Sequence, residues 1–142
     1  MRKYLVATHG KLADGFASSV SVLLGRKDLK TINAYLEDDG TNTNYIDDIK
    51  KFIDDIGVDD EGVIFTDIYG GSVNQKVVEQ VSTTNKKVFI ITQTNLAIIL
   101  QILLSSEALS SGNLKKMISE STPQYIDLGT MKLKNQDEEK FF

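Results

Sequence analysis

At 142 residues, 41% of them hydrophobic and 25% charged, the chain is sized for one domain with a real core, and this composition excludes disorder over most of its length. A net charge of −4, from 16 basic and 20 acidic residues, leaves no basic stripe for nucleic acid. With no cysteine and a single histidine, disulfides, thiolate zinc sites, thiol catalysis and a His-rich metal site within one chain are all excluded.

Met1-Arg2-Lys3 leads into only a short apolar run, unlike a signal peptide. That run, Tyr4 to Thr8, lies in a first strand covering about Lys3 to Thr8, which leads into His9 and Gly10. A helix follows over about Leu12 to Leu24, with Leu12, Phe16, Val20, Leu23 and Leu24 at helical spacing, and Gly25 where a left-handed cap belongs. The second strand covers about Thr31 to Leu36, followed by the polar, turn-rich loop Glu37-Asp38-Asp39-Gly40-Thr41-Asn42. Tyr45, Ile46, Ile49, Phe52, Ile53 and Ile56 make the clearest helix, which Gly57 ends. Gly62 to Thr66 is the third strand, Asp67 to Ser72 its exit, and Val73, Val77, Val78 and Val81 mark the helix after it.

The fourth strand, Lys87 to Thr92, is a continuous apolar run of the kind buried on both faces. Asn95 is placed to cap an apolar helix over Leu96 to Leu104, the most apolar stretch of the chain and too short to cross a bilayer. A soluble, cytoplasmic protein is expected. A weaker helix covers about Asn113 to Ser119, and Pro123 introduces a short last strand, Gln124 to Leu128. The residues from Lys132 to Phe142 are charged and expected to be poorly ordered.

The alternation predicts an α/β fold. An open, mostly parallel sheet of about four parallel strands plus a short last strand carries helices on both faces. One domain is expected over residues 1–130, with a charged C-terminal tail over 131–142.

Parallel strands put their carboxyl ends along one edge, where ligands and reacting groups gather. That edge collects His9, the acidic Glu37 to Asp39, Asp67, Gly70-Gly71-Ser72, and Thr92 to Asn95. Asp67 can accept a hydrogen bond from one ring nitrogen of His9, leaving the other with an outward lone pair. Gly70, Gly71 and Ser72 open a helix whose backbone N–H groups and dipole suit an anion. A nucleophilic nitrogen, an orienting carboxylate and a phosphate cradle are the parts for phosphoryl transfer to histidine. No metal or other cofactor is called for when the donor is itself a phosphohistidine, and no G-x-x-x-x-G-K-[ST] loop is present. Plainer roles exist for each part. Asp67 could be a turn or cap residue, Gly70-Gly71 a tight turn, and Glu37-Asp38-Asp39 a solvated loop or an attractor for a partner. Tyr69 either packs or covers the site.

At Ala7-Thr8-His9-Gly10, Thr66-Asp67-Ile68-Tyr69-Gly70-Gly71-Ser72 and Asn95-Leu96, the chain resembles the IIA domain of the mannose/fructose/sorbose class of sugar phosphotransferase system (PTS). The order of strands and helices is similar from Met1 to about Leu128. The resemblance implies a phosphocarrier that accepts a phosphoryl group from phospho-HPr on His9, through Nε2. It then passes the group to a histidine of a IIB domain, which serves sugar uptake through the membrane components IIC and IID. It also implies that Asp67 pairs with the ring, that Gly70, Gly71 and Ser72 line the phosphate site with Thr8 nearby, and that the protein is a homodimer exchanging a last strand, here Gln124 to Leu128. The family's Pro after Gly-Gly-Ser is Val73 here, with Asn74 directly after it, and the Pro often found after Asn-Leu is Ala97.

Three other readings stand beside this one. One is the related phosphocarrier subunit of dihydroxyacetone kinases, although the Gly-Gly-Ser run favours the sugar-transport family. Another is a receiver module with Asp67 as phosphoacceptor and Thr92 after the fourth strand, although Thr8-His9 stands where receivers carry an acidic pair for Mg²⁺. The third is a regulatory module that senses phosphorylation state.

Overall fold

A computed structural model of the chain describes residues 1–36 and 44–130; the acidic Glu37, Asp38 and Asp39 and the tail 131–142 lie outside the described residues. The strands are β1 (Arg2–His9), β2 (Leu29–Ala34), β3 (Glu61–Thr66) and β4 (Lys87–Ile91). The helices are α1 (Leu12–Leu24), α2 (Tyr45–Asp54), α3 (Ser72–Val81), α4 (Leu96–Leu104) and α5 (Ser111–Glu120). All strand pairs are parallel, in the order β2-β1-β3-β4.

The period-two alternation of the strands divides the core in two. Tyr4, Val6, Val63, Phe65 and Ile91 pack under α1, α4 and α5, against residues such as Val20, Ile99 and Leu114. Leu5, Ala7, Ile32, Ala34 and Ile64 point the other way, against Ile49 and Phe52 of α2 and Val73 and Val77 of α3. Gly25 caps α1 with φ 66, and the Asn95 side chain caps α4 by accepting from Ile98 N–H at 2.9 Å.

Strand order positions the site. The chain runs from β1 outward to β2, then returns past β1 to β3, so direction reverses between β1 and β3. Such a switch point opens a crevice at the carboxyl ends of the two strands. Ala7 lies opposite Thr66, so the residues that follow emerge side by side.

At the opposite end of the sheet, the Glu61 carboxylate joins three segments. It meets Arg2 Nε at 3.0 Å and Lys87 Nζ at 3.2 Å, and accepts from Leu109 N–H at 2.9 Å.

Two expectations are corrected. The fourth strand is not buried on both faces: β4 is an edge strand whose Val88, Phe89 and Ile90 are only half-buried. Its apolar run resembles that of a central strand because composition does not record which neighbours a strand has. Gln124 to Leu128 forms no strand and pairs with nothing in the sheet. Its Tyr125, Ile126 and Leu128 are exposed, so within one chain the segment has no ladder to satisfy its backbone.

Candidate functional site

His9 is the last residue of β1, and Asp67 is the first residue beyond β3. Asp67 Oδ2 accepts the His9 backbone N–H at 2.8 Å and lies 2.9 Å from His9 Nδ1. Asp67 Oδ1 accepts from Ile68 N–H at 2.9 Å. Both carboxylate oxygens are thus oriented by backbone before the imidazole is considered. Burial works against the ionised carboxylate, yet the hydrogen bonds from the His9 backbone and ring outweigh it and hold Asp67 below the ordinary aspartate value. An ionised acceptor at Nδ1 selects the Nδ1–H tautomer, leaving the lone pair on Nε2. The Asp67 side chain is only 8% exposed, whereas that of His9 is 40% exposed, so the pair is anchored at one end and open at the other.

Nε2 faces the start of α3, with Ser72 Oγ at 3.3 Å. In the Nδ1–H tautomer the hydroxyl is the donor of that contact. Gly71 is the N-cap of α3 and no side chain caps it, so the N–H groups of Ser72, Val73 and Asn74 have no intrahelical acceptor. Together with the helix dipole they form a positive end beside Nε2. Gly70 takes φ 76, which only glycine adopts without cost, and the Gln75 side-chain amide pins the turn by donating to Gly70 O at 2.7 Å. The Gly71 N–H is already given to Ile68 O at 3.0 Å, so the glycines shape the turn and the available donors begin at Ser72.

The structure therefore brings His9, Asp67, Gly70, Gly71 and Ser72 together, and it places Thr8 elsewhere. Thr8 is fully buried, and its hydroxyl accepts from Ala13 N–H at 2.7 Å, closing the first turn of α1. Side chains alternate along a strand, so Thr8 lies on the α1 face of the sheet and His9 on the α3 face. Tyr69 is 73% exposed and so is not core packing. A groove of about 450 Å³ lies beyond β4, walled by Ile91, Ile98, Ile118 and Pro123, and His9 is not among its walls. Among the described residues, no group of three His, Cys, Asp or Glu side chains could hold a metal, and no helix is long and apolar enough to cross a membrane.

Sequence reasoning missed Tyr35. Its ring stacks on the His9 imidazole with centroids 5.4 Å apart and planes 19° from parallel. Its hydroxyl is 3.1 Å from that of Tyr45, the buried first residue of α2. The Ser72 and Tyr45 hydroxyls lower the Tyr35 pKa; burial opposes them and the Lys76 charge adds to them. Burial, reinforced by Tyr35, pushes Tyr45 upward instead. The available signal was an aromatic residue at the carboxyl end of the second strand, overshadowed by the acidic run after it.

The sequence profile of the family described as PTS system fructose IIA component (EIIA-man) matches residues 3–119. No curated protein matches the chain. Among solved structures, it is similar to phosphotransferase system component EIIA from Streptococcus agalactiae, at 25% identity and a TM-score of 0.72, covering 92% of this chain and 99% of that one. A candidate phosphoenolpyruvate-dependent sugar PTS permease from Klebsiella pneumoniae is 26% identical with a TM-score of 0.65, covering 96% of this chain and 89% of the other. The PTS IIA protein associated with the fucose utilization operon of Streptococcus pneumoniae shares the fold, with a TM-score of 0.74 at 20% identity over 92% of this chain and 95% of that one. With a family profile that spans most of its length, the chain belongs to the PTS fructose IIA component family, EIIA-man.

Proposed function

We propose that the protein is a phosphocarrier of a sugar phosphotransferase system. It takes a phosphoryl group from phospho-HPr onto His9 Nε2 and hands it to a histidine of a IIB domain, in the cytoplasm, ahead of the membrane components IIC and IID. The observation that carries this reading is the orientation of one ring: Nδ1 is held by Asp67 and Nε2 is presented to Ser72 at an uncapped helix start. In the transfer, the Nε2 lone pair forms a new N–P bond as the N–P bond of the donor breaks, and the electron pair of the broken bond stays on the donor nitrogen. The imidazole keeps its Nδ1 proton and becomes cationic, and Asp67 balances that charge. Ser72 Oγ and the N–H groups of α3 receive the phosphoryl oxygens, with Gly70 and Gly71 shaping the turn that holds them. Thr8 supports the site from beneath by closing α1, not by touching phosphate. The return step to IIB runs the same geometry in reverse.

The protein acts as a homodimer in this reading, with Gln124 to Leu128 exchanged onto a partner. The apolar side chains exposed along that segment and the open edge of β4 support it.

Incubation with phosphoenolpyruvate, enzyme I and HPr, followed by intact-mass measurement, tests the transfer. The native protein gains one phosphoryl group, in an acid-labile, alkali-stable linkage. His9→Ala folds and gains none. A labelled His9→Ala protein overturns the assignment, and an alkali-labile linkage points to an acyl phosphate on a carboxylate.

A further inference from the structure

We infer that Tyr35 is a positioning residue for phosphoryl transfer, holding the His9 imidazole face-on so that Nε2 stays directed at Ser72 and the ring tolerates positive charge. The inference rests on the phosphocarrier role of His9 proposed above.

Three separate observations meet at this residue. The backbone of Tyr35 has φ 58, in the left-handed region that bulky side chains rarely enter. Strain of this kind persists only where surrounding contacts impose it, and it concentrates at functional sites. The conformation turns the ring back over the sheet edge, where it stacks on His9 at 5.4 Å and 19°. The far end of the ring is tethered through its hydroxyl to Tyr45, which is 3% exposed and anchored at the start of α2.

Asp67 governs only one edge of the imidazole. A hydrogen bond at Nδ1 selects the tautomer and the direction of that nitrogen, but leaves the ring able to tilt about the bond. With the His9 side chain 40% exposed, solvent would not resist that tilt. A stacked aromatic face does. Once Nε2 carries the phosphoryl group, the imidazole is a cation, and an aromatic face attracts a cation through its quadrupole. Asp67 at the edge and Tyr35 on the face then address the same charge from perpendicular directions. The Tyr45 tether and the strained backbone keep the tyrosine ring in place before a donor arrives.

The chain has one histidine, so the carbon-bound ring protons of His9 give one assignable pair of NMR signals. The experiment compares native protein with Tyr35→Phe, Tyr35→Leu and Tyr35→Asn, reading those signals, the thermal midpoint and the rate of labelling by phospho-HPr. Phe keeps the aromatic face and loses only the tether to Tyr45, so it retains most of the upfield shift of the His9 protons and labels within about 3-fold of native. Leu and Asn lose the upfield shift and label about 5–30-fold more slowly, the range expected for a cation held by an aromatic face. Asn enters the left-handed region readily, so relief of strain offsets part of the lost contact with Tyr45 and its thermal midpoint falls less than that of Leu, while both label equally slowly; that split separates a positioning role from a structural one. Leu and Asn labelling at the native rate, or Phe failing to rescue, overturns the role of Tyr35 alone. Absence of label on the native protein overturns the phosphocarrier reading and this inference with it, whatever the His9 shifts show.

Discussion

An imidazole accepts a phosphoryl group only through the nitrogen that keeps its lone pair, and in this chain Asp67 decides which nitrogen that is. The same carboxylate also accepts the backbone N–H groups of His9 and Ile68, so its position does not depend on the ring it serves. Asp67→Asn leaves a dipole where a charge belongs and allows the amide to present its NH₂ to Nδ1, which favours the wrong tautomer. A hydrogen bond to a charged group is worth about 1.5–3 kcal/mol, so labelling by phospho-HPr should slow by about 10–100-fold, read from single-turnover rates. Stability carries its own signature. The folded-state pKa of Asp67 is depressed, so its contribution is present above the unfolded aspartate value near ~4 and is lost as pH falls through the lower folded value. Urea unfolding should show native protein more stable than Asp67→Asn at pH 7, and the gap should narrow below about pH 4; a gap that widens in acid contradicts the pairing. At this scale the pairing of His9 with Asp67 was legible in the sequence, because a lone histidine and an aspartate each follow an apolar strand. Tyr35 was not, because its importance comes from a backbone angle and a contact with Tyr45, neither of which leaves a periodic signal. Thr8 was expected near the phosphate site from the family resemblance, and strand alternation turned it to the other face of the sheet from His9, where it closes α1.

The two ends of the sheet divide their tasks. At the carboxyl ends, β1 and β3 bring His9 and Asp67 out on either side of the switch point, and α3 aims its uncapped start between them. At the amino ends, Glu61 ties β3 to Arg2 of β1, Lys87 of β4 and the backbone of Leu109. Burial opposes ionisation of Glu61, but its hydrogen bonds from Arg2, Lys87 and Leu109 prevail, so it too sits below its ordinary value. Glu61→Ala strands the largely buried Arg2 without its carboxylate. The cost should be about 2–4 kcal/mol in chemical denaturation, with labelling of His9 unchanged within about 2-fold because the cluster lies a strand length from Nε2. Helix and strand identities were readable from apolar spacing, most securely in α2, where the buried side chains follow one face. Boundaries were less so. β2 begins at Leu29 and ends at Ala34, two residues before the expected limit, because its length follows pairing with Tyr4 to His9 of β1 and not its own composition.

Among the described residues, the outer edge of β4 and the exposed apolar side chains of Tyr125, Ile126 and Leu128 are left without a partner in the fold. An open apolar edge seeks a further strand. If exchange between copies satisfies both, deletion of the chain from Gln124 onward should convert a dimer into a folded monomer, measured by sedimentation with circular dichroism as the check on folding. Full-length protein that sediments as a monomer would remove the exchange. The fold class, the parallel sheet with helices on both faces, followed from sequence alone, because strand–helix alternation in a chain of this composition has few ways to bury its apolar faces. So did the chemistry available at one edge, because parallel strands deliver their carboxyl ends together. Tertiary structure decided the strand order, and with it the switch point that brings His9 to Asp67. It also decided that β4 is an edge, that Thr8 turns inward and that a strained Tyr35 covers the imidazole. Those outcomes depend on which elements become neighbours, a choice set by the summed packing of the chain and not by any local run of residues.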